Sequence, residues 1–211
     1  MLELFSLEHG RVGIVARGLR GARSPWRGLG EPFQPLAAGW LRRGELGTLT
    51  ELEPSGARVG LGGQALWCGL YANELVLALI DRDEPVPALV AEYGRCLALL
   101  ADSERRHTAL RRFEMALLDC LGVAPDLECE AQQGERIDPE GWYRLEPESG
   151  FVAAAAQGRG VYSGRAILAL AQGDAVDGDL RRQSRQMTRV LIDHQLGGRT
   201  LKTRELFRSI G

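Results

Sequence analysis

The chain has 211 residues, 45% of them apolar and 26% charged, with a formal net charge of −2. That is ordinary for a globular protein of one large domain or two small ones. No apolar run approaches the roughly 18 residues a membrane span needs, and the N-terminus lacks a basic-then-apolar export signal, so a cytoplasmic protein is expected.

The first 63 residues read as β-structure. Leu2 to Leu7 alternates, His9-Gly10 turns, and Val12, Ile14 and Ala16 face one way along the next strand. An arginine- and glycine-rich loop follows, from Gly18 to Gly30. Phe33–Arg43 and Gly44–Glu53 predict two more strands, and Ala57–Leu61 a short last one. Several short strands in so little chain suggest a small barrel such as the oligonucleotide-binding (OB) fold.

From Gln64 the apolar period becomes helical. A helix to Ile80 carries Leu66, Leu70, Leu75 and Leu79 inward, with Trp67 and Tyr71 as packing residues. Asp81 to Pro85 makes a turn before a helix over 87–101. Leu110, Phe113, Leu117 and Leu121 then mark an amphipathic helix with Thr108 as its cap and Gly122 at its end. Arg111 and Arg112 fall in its first turn, where the helix dipole disfavours cations and an acidic partner would be welcome; pairing with Glu114 and Glu104 is the plain alternative. The acidic stretch 123–160 predicts a hairpin, Trp142–Leu145 with Phe151–Ala155. Ser163 and Asp177 cap two further helices, the second with Leu180, Met187, Val190 and Leu191 inward, and Thr203 starts a last short one. The fold class is therefore α+β: an OB-like barrel over 1–63, then an all-α domain over 64–211 with a small hairpin insertion.

The motifs argue against catalysis. His9, His107 and His194 have no metal-ligand or triad spacing, and His107 reads as a surface residue near a helix start. No nucleophile elbow or nucleotide loop occurs. Cys68, Cys96, Cys120 and Cys129 form no CxxC pair, so neither a zinc site nor a disulfide framework is expected, and no cofactor. The acidic stretch, with Asp126, Glu128 and Glu130, supports a hydrolase only weakly.

Charge segregation is more informative than net charge. Seven arginines and one acid lie between Arg11 and Arg43, and basic residues again dominate from Leu180 to Arg208. Arg11, Arg17, Arg20, Arg23 and Arg27, with Trp26 among them, offer phosphate neutralisation and a stacking surface for single-stranded nucleic acid. Arg185, Arg189, Arg199, Lys202 and Arg204 make a second basic patch suited to duplex DNA, or simply a solvated helix face.

Leu110-Arg111-Arg112-Phe113-Glu114 with Leu117-Leu118 and Leu121-Gly122 resembles the central helix of the RecO family of bacterial recombination mediators. Gly69-Leu70-Tyr71-Ala72-Asn73-Glu74-Leu75, Ser163-Gly164-Arg165, and Leu196-Gly197-Gly198 followed by Leu201-Lys202-Thr203-Arg204-Glu205-Leu206 agree, as do Gly10-Arg11-Val12 and Ala16-Arg17-Gly18. Against that family, Met1–Phe5 looks like the end of a first barrel strand: either the start falls at an internal methionine or the chain is a shortened variant, whose barrel would have an open edge. Set against the family, a short basic C-terminal tail is expected to be lost, and of a four-cysteine zinc knuckle only Cys129 remains, so no metal is expected. The resemblance implies a non-enzymatic, nucleoid-associated DNA repair protein. It would bind single- and double-stranded DNA, anneal complementary strands and, with RecR, help load RecA onto DNA coated by single-stranded DNA-binding protein (SSB). It also implies a site for the acidic, apolar SSB C-terminal tail, for which Leu110, Arg111 and Arg112 are the candidates, Arg111 foremost and Tyr71 a weaker one. The alternative is a helical adaptor that binds an acidic tail without binding DNA.

Overall fold

Val12 and Ile14, two residues apart on a strand, point to one face and seed the first core. The computed structural model describes the chain except residues 20, 22, 23, 43, 175–177 and 211, with the backbone alone over 207–210. The described residues divide into two compact units, Met1–Ala101 and Asp102–Gly211. No helix among them is long and apolar enough to cross a membrane.

The first unit opens with strands β1 (Leu2–Ser6), β2 (Gly10–Val15), β3 (Leu36–Arg42) and β4 (Gly47–Pro54), in sheet order β1-β2-β4-β3. β1 and β2 form an antiparallel hairpin, β2 meets β4 in parallel at Ile14↔Gly47 and Val15↔Thr48, and β3 and β4 pair antiparallel. Leu49 and Leu52 share the core with Val12 and Ile14 although an odd spacing should place them on opposite faces. A bulge explains this: Gly39 faces Glu51 while Trp40 faces Leu49, so Thr50 is an extra residue that resets the alternation. Residues 57–61 are not a strand; Val59 merely donates its N–H to the Phe33 carbonyl, 3.1 Å.

Two helices complete this unit, α1 (Gly63–Leu79) and α2 (Pro87–Leu99). The buried stripe of α1 is Ala65, Gly69, Tyr71, Ala72, Leu75 and Val76, so of the four leucines expected inward only Leu75 is fully buried. Small residues win because the backbone comes close: a Cβ on Gly69 would sit 2.8 Å from Phe33 and 2.7 Å from Leu61.

The turn between α1 and α2 docks onto the sheet. Arg82 bridges in parallel with Arg11, and the Asp83 N–H donates to the Arg11 carbonyl at 2.9 Å. Arg42 grips Asp83 through both guanidinium nitrogens at 2.6 and 2.5 Å, and Arg82 pairs with Glu3. The Arg42 guanidinium holds the Asp83 carboxyl below the usual carboxylate range.

The second unit starts at Asp102, whose carboxylate accepts from the N–H groups of Glu104 (2.9 Å) and Arg105 (3.3 Å). That turn launches α3 (Arg106–Cys120) two residues ahead of the expected cap Thr108, with Arg105 at the N-cap position. Gly122, at φ +71°, ends it: Val123 N–H reaches Leu118 O (3.0 Å) and Gly122 N–H reaches Asp119 O (2.8 Å).

The expected hairpin, β5 (Trp142–Glu146) with β6 (Gly150–Ala154), gains a third strand, β7 (Val161–Ser163), in order β6-β5-β7. The addition buries Val161 and Tyr162. Ser163 then caps α4 (Gly164–Gln172), its Oγ accepting from Ala166 N–H at 3.3 Å. The expected cap Asp177 lies outside the described residues; α5 (Gly178–Leu196) and α6 (Lys202–Ile210) follow. Met187, Thr188, Leu191 and Ile192 form the buried stripe of α5, which leaves Val190 37% exposed instead of inward.

Candidate functional site

The loop after β2 is a run of tight turns: Gly21 N–H to Gly18 O, Ser24 to Gly21, Arg27 to Ser24 and Leu29 to Trp26. Leu19, Trp26 and Leu29 pack onto the sheet core, so apolar side chains pin the loop down. Arg17 and Arg27 remain exposed, and their side chains make no hydrogen bond or ion pair among the described residues. Arg20 and Arg23 lie outside the described residues. Trp26 is half-buried against the core, which leaves only part of its ring for stacking.

Arg11 is placed differently from its sequence neighbours. Its guanidinium donates to the Leu77 carbonyl and lies 3.7 Å from Glu3, with its side chain only 17% exposed. It ties β2 to β1 and α1.

On α3, Leu110, Arg111 and Glu114 are buried and Arg112 is exposed. Arg111 Nη2 donates to Glu114 Oε1 at 2.7 Å, the pairing that stood as the plain alternative. The Arg112 stem lies beside Gly173, where α4 ends: a Cβ there would be 3.5 Å from Arg112 Cδ. A cation suits the negative end of that helix. Tyr71 is buried in the first unit, while the α3 residues belong to the second.

A polar seam joins α3 to α5, and sequence reading missed it. His107, assigned to the surface, is half-buried with Nε2 3.0 Å from Ser184 Oγ. Ser184 Oγ is also 3.1 Å from the Arg181 carbonyl; with its proton given to that carbonyl, His107 donates through Nε2–H and Nδ1 is the unprotonated nitrogen. Burial first, then the charges of Arg111, Arg181 and Arg185, push the His107 pKa down to about 4. The recurrence of 107, 111, 114 on α3 against 181, 184, 188 on α5 was the available signal.

The second basic patch is largely compensated. Asp193 is ion-paired with Arg204 and lies 3.5 Å from Arg189, and Arg199 Nε donates to the Leu196 carbonyl at the end of α5, 3.0 Å. Lys202 is exposed and has an electrostatic or hydrogen-bonding partner. Arg185 is exposed, and its side chain makes no hydrogen bond or ion pair among the described residues.

Asp126 and Glu130 of the acidic stretch turn their carboxylates onto its own backbone, while Glu140 pairs with Arg165. Asp126 Oδ1 accepts from Glu128 N–H (2.7 Å) and Cys129 N–H (3.1 Å); Glu130 accepts from Gln132 N–H (2.8 Å) and Gln133 N–H. Those backbone donors hold the Glu130 carboxyl below its usual range. Among the described residues no three His, Cys, Asp or Glu side chains gather as metal ligands.

Comparison with known proteins adds the lineage. The family model "Recombination protein O N terminal" matches residues 1–58 and "Recombination protein O C terminal" matches 62–205. DNA repair protein RecO of Methylococcus capsulatus is 41% identical over 99% of this chain and 86% of its own length. The RecO proteins of Sodalis glossinidius and Erwinia tasmaniensis are 40% and 38% identical, again over 99% of this chain and over 80% and 85% of theirs. With the β-rich first segment, the helical remainder and these matches all in register, the chain belongs to the RecO family of DNA repair proteins.

Proposed function

We propose that this chain binds single- and double-stranded DNA, anneals complementary strands and, with RecR, helps load RecA onto SSB-coated single strands, working in the cytoplasm at the nucleoid. The observation that carries the reading is the loop 18–30 with the residue before it. Leu19, Trp26 and Leu29 of the loop pack on the sheet core while Arg17 and Arg27 face solvent. Cations held on a fixed scaffold neutralise phosphate without an added ordering cost, and neutralisation lowers the repulsion between two strands. No catalytic residue or nucleotide is needed for that step. In this reading residues 1–63 carry single-strand binding, with Arg20 and Arg23 as further phosphate partners. Residues 64–211 carry tail recognition, and Lys202 serves duplex DNA; Arg185, expected in the duplex-binding patch, is assigned to the tail in this reading.

Tail recognition is the second activity we propose. Arg112 and Arg185 are its exposed cations and Leu110 its apolar neighbour on α3, while Arg111 is buried and paired with Glu114 within the same helix. Charge-assisted hydrogen bonds from guanidinium to carboxylate supply the recognition chemistry.

The test is single-stranded DNA binding by fluorescence anisotropy across a salt series. Affinity should fall steeply with salt. Arg17→Ala with Arg27→Ala should reduce the log–log slope by about 1.4, since each phosphate neutralised on a single strand adds roughly 0.7 to it. Tail-peptide binding without any salt-dependent DNA isotherm would instead establish the adaptor reading.

A further inference from the structure

The α3–α5 seam contains an imidazole that neither DNA binding nor tail recognition, as described above, requires. His107 is held by Ser184 at 3.0 Å, and Ser184 is itself committed to the Arg181 carbonyl. Nδ1 is then the ring nitrogen left to take a proton. Its charged surroundings are cationic on both helices. From its own helix comes Arg111, one turn on and paired to Glu114; from α5 come Arg181 and Arg185, flanking Ser184. The nearest α5 carboxylate along the chain, Asp179, is engaged by Arg182 and by Gln183 Nε2 at 2.6 Å. Burial is the first cause that keeps this ring neutral, and a proton placed on Nδ1 would also add a charge to the cationic cluster.

An acidic peptide offsets the second of these causes. Its carboxylates would pair with the exposed Arg185 and screen the field that opposes protonation. We propose that His107 is a proton-linked member of the acidic-peptide site: as carboxylates occupy the seam, Nδ1 takes a proton from solvent, and the imidazolium becomes an additional cation of the bound state. The proposal rests on the tail-binding reading and assigns that site a regulation by pH. Phosphate in a nucleic-acid strand is the competing ligand, and the test separates the two.

The probe is a short synthetic aspartate-rich peptide with apolar residues at its free C-terminus, titrated into the full chain by calorimetry. The titration is run at about pH 6 in two buffers of different ionisation enthalpy. A carboxylate close to a titrating group moves its pKa by about 1–3. From the free value of about 4, the middle of that range predicts uptake of about half a proton per peptide and several-fold tighter binding at about pH 5.5 than at 7.5. His107→Gln, which retains a donor for Ser184, should bind the peptide with no such uptake and a flatter pH profile. The wild-type His107 ring, followed by NMR, should titrate at higher pH when peptide is bound. Peptide binding with equal heat in both buffers, or equal uptake in His107→Gln, overturns the proton link and leaves tail binding standing. Absence of peptide binding at every pH overturns both. Uptake caused by a single-stranded oligonucleotide and not by the peptide assigns the seam to DNA and overturns the proposal.

Discussion

Arg111 and Glu114 illustrate how little a residue type says about its job. Both are buried on α3, three residues apart, and their ion pair at 2.7 Å stands among Phe113, Leu117 and Leu118, all fully buried. Removing one partner strands the other charge, so Glu114→Ala should destabilise the chain by about 3–5 kcal/mol. Replacing both, as Arg111→Met with Glu114→Leu, should cost markedly less, since neither charge is then left buried. Urea unfolding of the wild type and the two variants reads this directly. His107 adds a pH dependence. Its folded-state pKa, about 4, lies below the ordinary 6.5, so between those values the unfolded chain binds more protons. The stability this neutral ring contributes is complete above about pH 6.5 and is lost progressively as pH falls toward 4. Urea midpoints measured against pH should therefore slope less in His107→Gln than in the wild type.

Among the elements, the junctions hold more than the strands and helices themselves. Gly10 has φ +63°, and a Cβ built there would lie 1.8 Å from the Glu84 carbonyl oxygen. Gly10→Ala would push the α1–α2 turn away from β2, breaking the Asp83–Arg11 backbone bond and loosening the Arg82–Glu3 and Arg42–Asp83 pairs. Backbone strain together with the displaced turn predicts a loss of about 2–4 kcal/mol, visible as a drop in Tm. Ser163→Ala is a milder test farther along the chain: it removes the α4 cap and should cost about 1 kcal/mol. The same junctions decided which arginine is free. Arg11 and Arg17 are alike in sequence, yet Arg11 is pinned between Glu3 and the Leu77 carbonyl while Arg17 is exposed. Arg11→Ala should therefore lower stability more than it lowers DNA affinity, and Arg17→Ala the reverse; parallel melting and anisotropy measurements separate them.

At the scale of the whole molecule, a net charge of −2 conceals separate basic and acidic territories. Local pattern alone was enough for much of the architecture. Period-two alternation located β1 and β2, helical periodicity and cap residues together located the six helices among the described residues to within a few positions, and Ser163 and Gly122 acted as the cap and stop their chemistry predicts. These features depend on neighbours in the chain, so a linear reading contains them. What the tertiary structure decided depends on residues far apart in sequence. The bulge at Thr50, the close approach at Gly69 on α1, the third strand beside the hairpin and the burial of His107 each arise from what packs against the element. The basic patches show the same division: their arginines are plain in the sequence, but whether each guanidinium meets solvent, a carboxylate or a backbone carbonyl is set by which segments fold beside it.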